Sequence, residues 1–181
     1  MKIFLLCGSI AQKAHTNALL HHLAGLLKEK GNETVIWDLK AQPLPIALPE
    51  YHKDPTVHPD PIVRKFVDEV EKTDAVILGS PLYHGSYSGV LKNALDNLRG
   101  DAFHRKWVGL VGNASGVRAS HVEFSHLRQV VNTMEGSGLQ TQIGTAKTDY
   151  DEMPDAYVLK DEDIKKRCAR LVEELLIGNP T

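Results

Sequence analysis

The sequence is short of cysteine, of excess charge of either sign and of long apolar runs. Its two cysteines among 181 residues, Cys7 and Cys168, make no disulfide framework, and both lie in apolar patterns typical of reduced core residues. A formal net charge of −2 argues against a nucleic-acid-binding protein, because such proteins are usually basic. The apolar run at residues 3–7 has five members, too few for a secretory signal or for a membrane span of about 20 residues. We therefore expect a cytoplasmic protein with neither a nucleic-acid nor a membrane partner.

Several short motifs with known chemistry are also absent. Neither the dinucleotide pattern G-x-G-x-x-G nor the phosphate-loop pattern G-x-x-x-x-G-K-[ST] occurs. No G-x-S-x-G elbow supports a serine hydrolase. His52 and His58 stand in a proline-rich segment without the carboxylate or thiol spacing of a metal site. We therefore expect neither a catalytic nucleophile nor a bound metal.

What remains is a regular alternation of short apolar segments and amphipathic helices. Strands are predicted at residues 2–7, 33–39, 75–80, 107–112 and 139–146. Helices are predicted to begin near Asn17, Pro61, Gly89, Ser120 and Glu162, with Asp60, Ser88 and Asp161 as caps and Gly31, Gly100 and Gly136 as stops. Residues 150–157 read as an acidic loop.

Strands that alternate with helices in this way form a parallel sheet with helices on both faces. The second and fifth strands mix polar and apolar residues, as edge strands do, whereas the first, third and fourth are apolar throughout. This pattern favours the strand order 2-1-3-4-5 in one domain spanning residues 1–181.

A Gly-Ser loop follows the first strand and leads into the first helix. Its backbone N–H groups and the positive end of the helix suit a phosphate group. Ser9 and Thr16 add hydroxyl donors, and Lys13 adds a positive charge. The signal is weak by itself, so a loop without a ligand remains an alternative.

A second loop, residues 80–88, leaves the buried third strand. Tyr83 and Tyr87 offer flat ring faces there, and we expect the backbone N–H groups of the loop to be free of sheet pairing. These features suit a flat heterocycle with polar edges. In the order 2-1-3-4-5 this loop and the Gly-Ser loop flank one crevice, at the point where open α/β sheets bind ligands. A third small-residue loop, 112–119, follows the fourth strand and is either part of the same site or a plain turn.

The run Ser80-Pro81-Leu82-Tyr83-His84, followed by Ser88-Gly89-Val90-Leu91-Lys92-Asn93-Ala94-Leu95-Asp96, resembles the isoalloxazine loop of the NAD(P)H-dependent FMN reductase family. That family has a flavodoxin-like fold and includes flavin, quinone, chromate and azo-dye reductases. The resemblance extends over about residues 2–177. It implies a flavodoxin-like three-layer sandwich, FMN as cofactor, and NADPH or NADH as hydride donor.

The resemblance also implies site residues for each part of the flavin. The FMN phosphate would contact Ser9, Thr16, Asn17 and Lys13, and the ring edge would contact Pro81, Leu82, Tyr83 and His84, through backbone N–H groups. The polar end of the ring would lie near Asn113, Ser115 and Gly116, and Arg118 matches a recurrent arginine of the family. His84 is expected to contact the ring rather than to donate a proton.

The phosphate loop departs from the family pattern at two positions. Ala11 and Ala14 stand where the family has an arginine and a serine. Either Lys13 or His15 compensates for these losses, or FMN binds more loosely.

Three functions stay open at this point. The first is an NAD(P)H-dependent FMN reductase whose small-molecule acceptor is free flavin, a quinone, an azo compound or a metal oxyanion. The second is a flavodoxin-like electron carrier without direct NAD(P)H oxidation, and the third is an α/β protein that binds a nucleotide or phosphate without flavin. The resemblance further implies a homodimer or homotetramer with the flavin near the subunit interface.

Overall fold

A five-stranded parallel sheet in the order 2-1-3-4-5 forms the centre of the fold. The protein is represented by a computed structural model that describes residues 1–114 and 121–177. The strands are β1 (Lys2–Cys7), β2 (Glu33–Asp38), β3 (Ala75–Pro81), β4 (Trp107–Ala114) and β5 (Ser137–Ala146). The predicted flavodoxin-like strand order is therefore confirmed.

Helices cover both faces of this sheet. They are α1 (His15–Glu29), α2 (Pro61–Glu71), α3 (Gly89–Asp96), α4 (His121–Thr133) and α5 (Glu162–Leu176). Alternate residues of β1 divide between two cores: Phe4 and Leu6 pack with α2, α3 and α4, whereas Ile3 and Leu5 pack with α1 and α5. The result is the three-layer sandwich that the sequence pattern predicts. No helix in residues 1–114 and 121–177 is long and apolar enough to cross a membrane.

The predicted helix caps are confirmed. The side chain of Asp60 accepts a hydrogen bond from the Ile62 N–H, and Ser88 accepts one from the Leu91 N–H. Asp161 accepts two at the start of α5, from the N–H groups of residues 163 and 164.

Two helix boundaries differ from the prediction. Helix α1 begins at His15 rather than Asn17. The sequence did not reveal this start, because the cap residue, Ala14, has no side chain that marks a cap. Helix α3 ends at Asp96, with Asn97 as its C-terminal cap, so Gly100 does not stop it.

Two segments near the carboxyl edge of the sheet also differ. Strand β4 continues to Ala114, so Asn113 is a strand residue paired with Pro81 rather than a loop residue. The expected acidic loop contains an antiparallel pair of short strands, β6 (Tyr150–Glu152) and β7 (Tyr157–Leu159). We call residues 150–159 the β6–β7 hairpin.

The proline-rich segment between β2 and α2 is held against α3. It contains two short 3₁₀ turns, Pro49–Tyr51 and Pro55–Val57. The amide of Asn93 donates to the Pro45 carbonyl oxygen at 2.9 Å and accepts from the Ala47 N–H at 3.0 Å. Helix α3, which follows the second loop of the crevice, therefore also positions this segment.

Candidate functional site

The loops after β1 and β3 lie side by side at the carboxyl edge of the sheet. The Gly8 N–H donates to the Gly79 carbonyl oxygen at 2.7 Å, and the Ser88 hydroxyl donates to the Gly8 carbonyl oxygen at 2.6 Å. A Cβ at Gly8 would lie 2.8 Å from Leu91 Cβ, so glycine is required where the two loops meet. These contacts create one cleft between the loops.

The cleft has a volume of about 280 Å³ and gathers most of the predicted site residues. Its walls contain Ser9, Lys13, Thr16, Pro81, Leu82, Tyr83 and Asn113, together with Ala11, Ala14, His15 and Lys147. Asn17 instead lines an adjoining cavity of about 230 Å³, where its amide donates to Asp38 Oδ2 at 3.2 Å. Ser115, Gly116 and Arg118 lie outside the described residues.

The Gly-Ser loop and the start of α1, where the sequence predicts a phosphate site, form one end of the cleft. Ser9 and Thr16 are buried there, and Ser9 Oγ accepts from the Ala11 N–H at 3.4 Å. Ala14, the N-terminal cap position, makes no side-chain hydrogen bond. The first turn of α1 thus lacks a side-chain acceptor, a condition that favours an anion.

Lys13 is turned towards the β6–β7 hairpin. Its ammonium lies 2.6 Å from Glu152 Oε1, 3.0 Å from the Met153 carbonyl oxygen and 5.0 Å from the centre of the Tyr157 ring. The hydrogen bond between Lys13 and Glu152 raises the pKa of the lysine and lowers that of the glutamate. In this arrangement the positive charge of the loop is already paired.

His15 packs against the same hairpin. Its ring stacks on Tyr157 with 3.7 Å between ring centres and an angle of 15°, and it lies 4.8 Å from the ring centre of Tyr150. Burial lowers the pKa of His15, and the positive charge of Lys147 lowers it further. Its buried Nε2 has no hydrogen-bond partner among residues 1–114 and 121–177.

The ring loop after β3 is a tight turn. The Tyr83 N–H donates to Ser86 O at 2.8 Å and the Ser86 N–H donates to Tyr83 O at 3.0 Å. His84 and Gly85 between them have φ of 49° and 81°, which is the type I′ geometry. The Ser86 hydroxyl lies 2.9 Å from His126 Nδ1 on α4, so the turn is anchored from outside the sheet.

The expectation of free N–H groups along this loop is wrong for most of the predicted contacts. Pro81 has no N–H, the Leu82 N–H donates to the Asn113 carbonyl oxygen at 2.8 Å, and the Tyr83 N–H is used in the turn. The ends of β3 and β4 stay paired one residue further than predicted, which consumes the Leu82 donor. Within the described part of the chain, the His84 N–H makes no hydrogen bond. The half-exposed Tyr83 leaves its ring face open to a ligand.

Asn113 belongs to a buried polar network behind the cleft. Its amide donates to Thr145 Oγ1 at 3.0 Å, and the Tyr150 hydroxyl donates to the same oxygen at 3.0 Å. Thr145 in turn donates to the Gly112 carbonyl oxygen at 3.0 Å. The network ties the ends of β4 and β5 to the hairpin.

Lys147 and the hairpin tyrosines were missed by the sequence reasoning. Lys147 follows the last residue of β5. It could have been found, because the fifth strand of a parallel sheet ends at the same sheet edge as the other four. Tyr150 and Tyr157 gave no such signal, because the segment between them was read as a loop.

The two cysteines take no part in the cleft. Both are free and buried, and burial raises the pKa of Cys7 to about 11 and that of Cys168 to about 12. Such thiols stay protonated and unreactive near neutral pH. The sequence-based interpretation of both as reduced core residues is confirmed.

A flavin mononucleotide matches the chemistry of this cleft, with an uncapped helix start for its phosphate and an open tyrosine face for its ring. Residues 1–148 match the family model for NADPH-dependent FMN reductases. The chain belongs to the NADPH-dependent FMN reductase family. The membership confirms an oxidoreductase with FMN as cofactor and a reduced nicotinamide as electron donor, as the resemblance implied.

Individual relatives agree with the family assignment. An FMN-dependent NADPH-azoreductase of Staphylococcus aureus is 38% identical over 180 residues, which cover 97% of this chain and 94% of that protein. The FMN-dependent NADPH-azoreductase of Staphylococcus saprophyticus is 36% identical over 184 residues, with the same coverage. Among solved structures, the apo form of an NADH:FMN oxidoreductase has a TM-score of 0.75 at 18% identity and covers 98% of this chain and 91% of that chain, which supports the fold.

Proposed function

We propose that this member of the FMN reductase family takes hydride from NADPH or NADH and passes two electrons to small acceptors such as azo compounds, quinones or free flavin. The observation that carries the proposal is the single cleft in which the Gly-Ser loop and the ring loop meet through Gly8 and Ser88. The azoreductase relatives at 36% and 38% identity support azo compounds as one acceptor class.

In this proposal the phosphate of FMN binds at the start of α1. Ser9, Thr16 and Asn17 offer hydroxyl and amide groups, with Lys13 at the side of the cleft. The N–H groups of the first helical turn contribute donors and a partial positive charge, because α1 has no side-chain cap. For Asn17 to reach the phosphate, its side chain must leave Asp38.

The ring would lie along the turn after β3. Leu82 and Tyr83 present apolar and aromatic surface, and Pro81 shapes the wall. We propose the His84 N–H, next in the chain and without a hydrogen bond among the described residues, as a donor to the ring edge. Asn113, Ser115 and Gly116 are proposed for the polar end of the ring. Bound FMN supplies hydride acceptance and two-electron transfer, so the protein needs no acid–base pair of its own.

Anaerobic reduction tests this function. FMN-loaded protein is mixed with NADPH or NADH in a stopped-flow instrument, and an azo dye, a quinone or free flavin is then added. Rapid bleaching of the yellow protein followed by reoxidation by the acceptor is the expected result. A long-lived blue semiquinone on photoreduction, with slow reaction towards both nicotinamides, would instead identify an electron carrier.

We also infer that the protein assembles as a homodimer or homotetramer. The cleft is open on one side, and a second subunit against the ring loop and the proline-rich segment would cover the flavin. Size-exclusion chromatography tests this: a fully active 20.0 kDa species would contradict it. We keep the cytoplasm as the proposed location, because free cysteines are typical of a reducing compartment, and cell fractionation tests that assignment.

A further inference from the structure

We propose that Lys147 provides the cationic partner of the FMN phosphate, a role that the Gly-Ser loop does not fill by itself. The inference rests on the proposed flavin site. It assigns phosphate recognition in part to the carboxyl end of β5, which is separated by β3 and β4 from the strand whose loop leads into α1.

The first step concerns the charge of the Gly-Ser loop. Lys13 is the one lysine or arginine among residues 8–16. Its ammonium is bound to Glu152 at 2.6 Å and to the Met153 carbonyl oxygen at 3.0 Å, and it lies over the Tyr157 ring. The pair of Lys13 and Glu152 is neutral as a unit, so it offers little net attraction to a phosphate that carries about −1.5 to −2 charges at pH 7.

The second step concerns His15, the other titratable group at the start of α1. Burial and the nearby charge of Lys147 hold its pKa below the ordinary value of 6.5. The imidazole is therefore neutral at pH 7. It offers an Nε2 atom for a hydrogen bond but no permanent positive charge.

Lys147 has the charge and the position that these two groups lack. It opens the short 3₁₀ turn Lys147–Asp149 directly after β5, it lines the cleft together with Ser9 and Thr16, and its side chain is exposed. Within residues 1–114 and 121–177, its ammonium makes no hydrogen bond or ion pair. Its positive charge contributes to the lowered pKa values of His15, at the start of α1, and Glu152, in the β6–β7 hairpin.

The base of this lysine is held firmly. The buried carboxylate of Asp149 accepts from the Ala146 N–H at 2.8 Å, and the Asp149 carbonyl oxygen accepts from the Lys160 N–H at 2.9 Å. The backbone of Lys147 is thus fixed between β5 and the hairpin, while its four-carbon side chain is free to direct the ammonium to an anion.

Comparison of FMN with riboflavin tests the proposal, because the two share a ring and differ in the phosphate. Full-length protein freed of flavin is titrated with each, and binding is followed by quenching of flavin fluorescence. We expect Lys147→Gln to weaken FMN binding about tenfold, as for loss of one charge-assisted hydrogen bond. Riboflavin affinity should not change, and Lys147→Arg should retain FMN affinity.

Lys166→Gln is the matched control. It removes the same charge from the outer face of α5, where Lys166 pairs with Asp163 at 3.1 Å, and it should leave both affinities unchanged. An unchanged ratio of FMN to riboflavin affinity in Lys147→Gln would overturn the proposal. Equal weakening of FMN and riboflavin binding in Lys147→Gln would also overturn it. So would a loss of FMN affinity, without loss of riboflavin affinity, that occurs in Lys13→Gln and not in Lys147→Gln. Failure of the proposed function is a separate result, in which the unmodified protein binds neither flavin.

Discussion

The hydroxyl of Ser88 donates a hydrogen bond of 2.6 Å to the carbonyl oxygen of Gly8. Ser88 Oγ also accepts from the Leu91 N–H at 3.2 Å and so caps the start of α3, and the Ser88 N–H donates to Ser80 Oγ at 2.9 Å. One buried side chain therefore caps the start of α3 and joins the two loops of the proposed flavin cleft.

Replacement of Ser88 by alanine should lower the free energy of unfolding and weaken FMN binding together. The variant loses a helix cap and leaves the buried Gly8 carbonyl oxygen without its partner, which costs about 1–3 kcal/mol. Urea denaturation of the flavin-free protein measures the first effect and FMN titration the second.

Asp60→Ala is the control for this variant. It removes the cap of α2, in which Asp60 Oδ1 accepts from the Ile62 N–H at 2.9 Å. Asp60 does not line the cleft. We expect a stability loss of about 1 kcal/mol with FMN affinity retained. If Ser88→Ala lost stability but bound FMN as tightly as the unmodified protein, the prediction would be wrong. The hydroxyl of Ser88 would then cap α3 without contributing to FMN binding.

Gly8→Ala should be strongly destabilising for a steric reason. The new Cβ would lie 2.8 Å from Leu91 Cβ and 2.9 Å from the Gly79 carbonyl oxygen, so backbone must move, at a cost of about 1–3 kcal/mol. Gly25→Ala in α1 meets no atom within 4 Å and should instead stabilise the protein by about 0.5–1 kcal/mol. Thermal or urea unfolding of both variants checks the opposite signs.

His84 should act through its backbone rather than through its imidazole. Its φ of 49° is tolerated by asparagine but strained for a β-branched residue. We expect His84→Asn to keep the rates of flavin reduction and reoxidation, and His84→Val to lose FMN affinity. A fall of about 100-fold in either rate for His84→Asn would show that the imidazole of His84 donates a proton.

Stability should decline at alkaline pH because two buried thiols stay protonated in the folded state. Burial raises the pKa of Cys7 from 9.0 to about 11 and that of Cys168 from 9.0 to about 12. Unfolding then releases a proton from each thiol above pH 9, so the free energy of unfolding falls by about 1.4 kcal/mol per thiol and pH unit. The buried Tyr150, whose pKa is also raised, adds to the decline above pH 10.

Cys7→Ala isolates the contribution of one thiol. Between pH 9 and 10, the free energy of unfolding of this variant should fall with pH about half as steeply as that of the unmodified protein. This holds whatever the substitution does to stability at pH 7. Urea unfolding at several pH values measures both slopes. An unchanged slope would mean that Cys7 ionises equally in the folded and unfolded states.

Much of the fold could be predicted because its signals are local. The caps at Asp60, Ser88 and Asp161 each bond to an N–H two or three residues away, so the sequence alone marks them. The start of α1 was misread because Ala14 carries no such signal. The end of α3 was misread, because Gly100 was taken as its stop; the actual C-terminal cap, Asn97, also donates its side-chain amide to Pro45, 52 positions away.

The candidate site shows the same division. Ser9, Thr16 and Tyr83 could be selected because loops after adjacent central strands must meet at the sheet edge, and the family resemblance added Pro81 and Leu82. Which backbone N–H groups of the ring loop are free could not be predicted, because this depends on how far β3 and β4 remain paired. That pairing uses the donor of Leu82 and leaves that of His84.

The sequence by itself determined the alternation of strands and helices, the strand order, the family and the two loops of the proposed flavin cleft. These follow from periodicity, from burial of whole strands and from contiguous motifs. Only the tertiary structure decided where the charges lie. The partner of Lys13 is 139 residues away on a hairpin that has little apolar pattern, and Lys147 reaches the cleft from the end of β5. Ion pairs between distant surface side chains leave no local pattern, because they form only when the sheet brings their backbones together.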